Sequence, residues 1–162
     1  MTPPAGSMAT RLMAIEPIIR RVRRKYRLTG RRTPAIVVVV MTVRRRVLVV
    51  DEDPLVRLAV DRQLDALGWD AVTVNTGEEA IRVVEMGLLV DVLLTDLRLP
   101  DLDGLDVAWA VTRVSPRTRV AFTAAAAPDE PLEPRHAPLL LKPFSTSALS
   151  HAIEGAVLIG GP

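Results

Sequence analysis

Four stretches of the chain each end an apolar run on a polar or charged group: VLVVDED with Asp51, Glu52 and Asp53, LLTDLRLP with Asp96, VAFTA with Thr123, and LLLKPF with Lys142. Carboxylates gathered in one place repel, and the repulsion raises the pKa of at least one of them unless a cation is bound. A hard divalent ion with oxygen ligands, Mg²⁺ above all, relieves that repulsion and keeps coordination positions for a phosphoryl group. Phosphoryl transfer needs an in-line nucleophile, a bridging cation and donors for the remaining oxygens. In such a site Asp96 would attack, while the Thr123 hydroxyl and the Lys142 ammonium would each hold an oxygen. The fold must bring the four stretches together.

From Val47 onward, apolar strand-like runs alternate with stretches of helical period, the pattern of a βαβ architecture with a parallel sheet. Strands are expected at 47–50, 70–74, 91–95, 119–123 and 139–141. Leu55, Ala59, Leu64 and Leu67 are expected on the buried face of a first helix, with Pro54 near its start and Gly68 past its end. Gly77 to Met86 predicts a second helix. Leu105 to Val114 predicts a third, entered through the turn Asp101-Leu102-Asp103-Gly104. A last helix from about Ser145 should bury Leu149, Ile153 and Val157. Between Thr123 and Lys142, Pro128, Pro131, Pro134 and Pro138 exclude a regular fourth helix of normal length, since an interior proline costs about 3 kcal/mol. In an open parallel sheet, ligands sit beyond the carboxyl ends of the strands. All the polar groups named above fall at that edge.

At 162 residues and 49% apolar content the chain suits one domain with a real core. It has no cysteine, which removes disulfides and thiolate metal sites and makes cytoplasm the expected compartment. No apolar run approaches the roughly 20 residues of a bilayer span. The net charge of +2 conceals an asymmetry: residues 1–46 hold 12 of the 21 basic residues and one of the 19 acids, Glu16. The remainder is acidic. The expected organisation is a basic extension over 1–45, a folded domain over 46–158 and a short tail over 159–162. Dense like charge favours a solvated, disordered extension. A nucleic-acid-binding arm, an organelle-targeting leader, and a start at Met41 in place of Met1 are the other readings of it. His136 and His151 lack metal-ligand spacing. Trp69 and Trp109 are expected to pack rather than to form a base-stacking platform.

The motifs VLVVDED, LLTDLRLPDLDG, VAFTA and LLLKPF resemble the receiver domain of two-component response regulators, over Arg46 to Val157, about 70% of the chain. The resemblance implies a flavodoxin-like (βα)₅ doubly wound fold of strand order 2-1-3-4-5, here with the fourth helix shortened or missing. It implies that Asp96 accepts a phosphoryl group from a sensor histidine kinase or phosphotransfer protein and later loses it to water. The domain itself catalyses both steps, and no conventional enzyme activity is expected. By the same carry-over, Asp51, Glu52, Asp96 and the Arg98 backbone carbonyl bind Mg²⁺. Thr123 and Lys142 contact the phosphoryl group, and the bond between Lys142 and Pro143 is cis. Three departures stand out. Glu52 replaces the usual Asp and is one methylene longer, which implies altered metal geometry or binding through water. Leu139 replaces a Tyr or Phe that reports closure on phosphate. The prolines replace the helix through which many receivers dimerise or meet targets.

Only five residues follow Val157, so a stand-alone receiver acting on an unidentified downstream protein is expected. Two further readings remain open: a phosphorylation-silent interaction module, and a phosphorylation-controlled nucleic-acid binder using the basic arm. A haloacid-dehalogenase-like phosphatase fits less well. There the first Asp of a D-x-D is the nucleophile and is followed by Thr or Val, whereas Asp53 precedes Pro54, and Asp96 would have no counterpart.

Overall fold

The computed structural model describes residues 45–129, 132 and 137–159. The basic extension expected over 1–45, apart from Arg45, lies outside the described residues, as do His136 and two of the four prolines. Five strands, β1 (Arg46–Val50), β2 (Asp70–Val74), β3 (Val92–Asp96), β4 (Arg119–Ala124) and β5 (Leu139–Leu141), form one parallel sheet in the order β2-β1-β3-β4-β5. Four helices connect or follow them: α1 (Pro54–Ala66), α2 (Gly77–Glu85), α3 (Gly104–Val114) and α4 (Thr146–Ile159). This is the flavodoxin-like, doubly wound fold expected from the motifs.

β1 and β3 are central, and every residue in them is buried, which is why both read as continuous apolar runs rather than alternations. Their side chains still alternate between two cores. Leu48, Val50 and Leu93 join Phe122 beneath α2 and α3, contributing to one core with Ala80, Val84, Val107 and Val111. Val47, Val49, Val92 and Leu94 face α1 and α4, where Val60, Leu64, Leu149, Ile153 and Ala156 complete the other. Burial of this apolar surface, at roughly 25 cal/mol per Å², is the main force holding helices to both faces.

The first helix corrects one expectation. Leu55 and Ala59 face solvent, Leu55 at 73% exposure, and the buried stripe runs instead through Val56, Val60 and Leu64. The Pro54 start fixes where the helix begins but not how it is rotated; packing against the sheet selects the Val56, Val60 and Leu64 stripe. Its ends are as predicted: Asp53 accepts from the Leu55 N–H at 2.8 Å, and Gly68 leaves the helix at φ +83°, a conformation that glycine adopts without a Cβ clash. Trp109 also departs from expectation. It is 63% exposed on α3 with the Arg113 guanidinium over its ring, whereas Trp69 packs against the core.

Between β4 and β5 none of the described residues is helical. Leu139, at the position where the family often carries an aromatic, is half-buried against the core beneath α2 and α3.

Candidate functional site

The strand order reverses between β1 and β3, because the chain steps outward from β1 to β2 and then returns across β1 to β3. That switch point opens a crevice at the carboxyl edge. Asp51 follows β1 there at 2% exposure, and Asp96 ends β3 beside it at 9%. Lys142, following β5, joins them. Its ammonium lies 2.6 Å from Asp51 Oδ2 and is also bonded to Asp96 Oδ2. Burial alone pushes the lysine pKa down, but the hydrogen bonds that its ammonium donates to Asp51 and Asp96, together with their negative charge, outweigh it and raise the value above 10.5. The ammonium is therefore firmly charged.

The second oxygen of each carboxylate is held by backbone. Asp51 Oδ1 accepts from the Asp53 N–H at 2.9 Å, and Asp96 Oδ1 accepts from the Arg98 N–H at 3.2 Å. Lys142 is placed by its own N–H, which donates to the Ala124 carbonyl at 2.8 Å, and the bond from Lys142 to Pro143 is cis.

The predicted residues do not all converge. Asp53 serves as the cap of α1, so it does not crowd the other acids. Glu52 is exposed. Thr123 pairs in register with Asp96 and is 3% exposed, and it does not line the cavity. Arg98 is exposed and forms an antiparallel bridge with Asp103. A cavity of 640 Å³ opens over the pair, with Glu52, Asp53 and Arg98 on its walls and Ala124 to Pro128 on its far side.

Two contributors escaped the sequence reading. Arg57 donates to the carbonyls of Asp51 at 2.6 Å and Glu52 at 2.8 Å, tying down the turn that carries the first acids. Its position on the first turns of α1, facing back toward β1, was the available signal. Gly104 is the second: a Cβ there would stand 2.1 Å from the Asp96 carbonyl oxygen, so only glycine lets the chain pass behind the nucleophile candidate. It reads in sequence merely as a turn residue.

Comparison with known proteins agrees with this geometry. The profile of the response regulator receiver domain matches residues 47–154. The transcriptional regulatory protein PdtaR of Mycobacterium tuberculosis is 32% identical over 117 residues, covering 70% of this chain and 57% of that protein. The chain spans less than two thirds of the length of the curated relatives it matches first. Among solved structures, the response regulator TrrA of Thermotoga maritima in complex with Mg²⁺-BeF superposes with a TM-score of 0.61 at 23% identity, covering 68% of this chain and 96% of that one. The chemotaxis response regulator CheY4 of Vibrio cholerae gives 0.61 at 22%, with 68% and 97% covered. Fold, switch-point carboxylates and family profile coincide over the same residues, and the chain accordingly belongs to the receiver domain family of two-component response regulators.

Proposed function

We propose that this chain is a phosphoryl-accepting receiver in which Asp96 takes a phosphoryl group from the phosphohistidine of a sensor kinase or phosphotransfer protein. The observation that carries this reading is the Lys142 ammonium shared between two buried carboxylates at the foot of an open cavity. In the transfer, an Asp96 carboxylate oxygen bonds to phosphorus as the bond from phosphorus to the donor imidazole breaks. Lys142 follows the new charge onto a phosphoryl oxygen, where a preorganised cation is worth far more than in water. Thr123, in register with Asp96 on the neighbouring strand, supplies a hydroxyl for a phosphoryl oxygen. Later attack by water on phosphorus returns the free carboxylate and inorganic phosphate.

The donor set fits Mg²⁺. Asp51, Asp96, the Arg98 carbonyl and Glu52 offer only hard oxygen atoms, while among the described residues no three acid or imidazole side chains are gathered so that they could hold a metal ion by themselves. Mg²⁺ characteristically takes one or two carboxylates and keeps its remaining positions for water and phosphate. When bound, it would neutralise charge on the transferring oxygens. The extended reach of Glu52 suits a water-mediated contact.

Signalling then runs through protein contact. Among the described residues no helix is long and apolar enough to cross a membrane. Incubation with Mg²⁺ and phosphoramidate, followed by intact mass measurement, should add one acid-labile phosphoryl group, and Asp96→Asn should add none. An adduct that survives that substitution removes Asp96 from the role. No adduct in the unsubstituted chain would favour a silent interaction module.

A further inference from the structure

The turn between β3 and α3 carries a carboxylate that the phosphoryl-transfer reading does not use. Asp101 is exposed, yet both its oxygens are engaged: Oδ1 accepts from the Gly77 N–H at 3.0 Å and Oδ2 from the Glu78 N–H at 2.8 Å. Those amides open α2, where a helix presents unpaired donors and a partial positive charge. Slight burial pushes the Asp101 pKa up, but the backbone amides of Glu78 and Gly77, with its own and that of Leu102, outweigh it and hold the group below the usual carboxylate value. The start of α2 already has a cap of its own, since Thr76 accepts from the Glu79 N–H at 3.2 Å. Asp101 takes the two amides that Thr76 leaves open, and so ties the turn between β3 and α3 to the start of α2 across 24 positions of sequence.

That loop runs from the Asp96 carboxylate through Arg98 and is pinned at its base. The Leu97 N–H donates to the Thr123 carbonyl at 2.9 Å, and the Gly104 N–H to the Leu97 carbonyl at 2.8 Å. Arg98 bridges to Asp103. At its tip the loop is pressed against α2, where a Cβ on Gly77 would stand 2.5 Å from Val107 Cγ2 and 3.1 Å from Leu102 Cβ. Two close approaches at glycine and the Asp101 clasp thus make loop and helix start one unit.

We propose that Asp101 is a positioning residue for the cation site: by clasping the Gly77 and Glu78 amides it fixes the loop that carries Arg98, whose N–H is held by Asp96 and whose carbonyl is a ligand in the receiver reading. The proposal rests on the receiver reading of Asp96 and Mg²⁺. Removing groups that orient metal ligands typically costs 10- to 100-fold in affinity. Calorimetric titration of Mg²⁺ into the full chain should show about a tenfold weaker affinity for Asp101→Ala. Asp101→Asn, which keeps one accepting oxygen, should show a smaller loss. Thr76→Ala removes the helix's own cap; it should lower the thermal midpoint as Asp101→Ala does, with Mg²⁺ affinity unchanged. Phosphoramidate labelling of Asp101→Ala should recover at saturating Mg²⁺. If Asp101→Ala keeps the wild-type Mg²⁺ affinity, or if Thr76→Ala weakens it equally, Asp101 is only a helix cap and the proposal falls. A wild-type chain that neither binds Mg²⁺ nor takes up phosphoryl overturns the receiver reading, and the proposal with it.

Discussion

At the amino end of the sheet, Arg46 donates through its backbone N–H to Asp91 at 2.6 Å, and through its guanidinium to Asp70 at 3.1 Å and the Leu89 carbonyl at 3.0 Å. At the carboxyl end, Lys142 lies between Asp51 and Asp96. Both ends set a cation against carboxylate at the edge of the sheet, the Arg46 guanidinium against Asp70 and the Lys142 ammonium against Asp51 and Asp96. The arginine fork is spent on fixed partners belonging to β2 and the approach to β3, and it stitches the sheet's edge together. The lysine is a compact charge on a flexible stem beneath a 640 Å³ cavity, so it can follow a charge that arrives there. The same electrostatic pairing has its space filled at one end of the sheet and left open at the other.

Four measurements probe this contrast. Arg46→Met should cost about 3 kcal/mol in urea unfolding, because it leaves the Asp70 carboxylate and the Leu89 carbonyl without their donor, while phosphoramidate labelling of the folded fraction continues. Comparable loss of labelling would show that the two ends are not separable. Lys142→Met should slow labelling by about a hundredfold, the usual effect of losing one charge-stabilising donor, and also lower stability, because Asp51 and Asp96 stay buried together without their shared cation. Gly104→Ala should cost about 2 kcal/mol in the thermal midpoint and slow labelling, since its Cβ must displace the Asp96 carbonyl. A neutral outcome would mean the backbone behind Asp96 is softer than its contacts imply.

The smallest effect is in pH. The folded pKa of Lys142 is raised, so its contribution is complete below 10.5 and fades as pH climbs through the folded value. The folded pKa of Asp101 is depressed, so its contribution is complete above 3.8 and is lost as pH falls through the folded value. Differences in unfolding free energy between wild type and Lys142→Met, or Asp101→Asn, should therefore be flat from pH 5 to 9, roughly, and close only at the alkaline or acid end respectively.

Much of the fold was legible in advance because its signals are local. Apolar runs such as Val47 to Val50 mark strands buried on both faces, and proline and glycine mark where α1 begins and ends. The rotation of α1 was not legible: Leu55 and Val56 are both apolar, and only the sheet decides which is buried. Trp109 escaped for the same reason, being exposed on α3 although its type favours burial. At the site, Asp51, Asp96 and Lys142 were readable because each stops an apolar run at the same edge. Asp53 read as a third site acid and proved a helix cap, since carboxylates serve both purposes at a strand-to-helix turn.

The sequence by itself determined the order of strands and helices, the edge on which polar groups collect and the family to which the motifs point, since each depends on spacing along the chain. Only the tertiary structure decided which acids share a cation, that Thr123 is buried beside Asp96, and that Arg57 and Asp101 hold the turns around the site. Those depend on contacts between residues far apart in sequence, such as the 46 positions separating Asp96 from Lys142. Packing of the two cores sets such distances, and no local pattern encodes them.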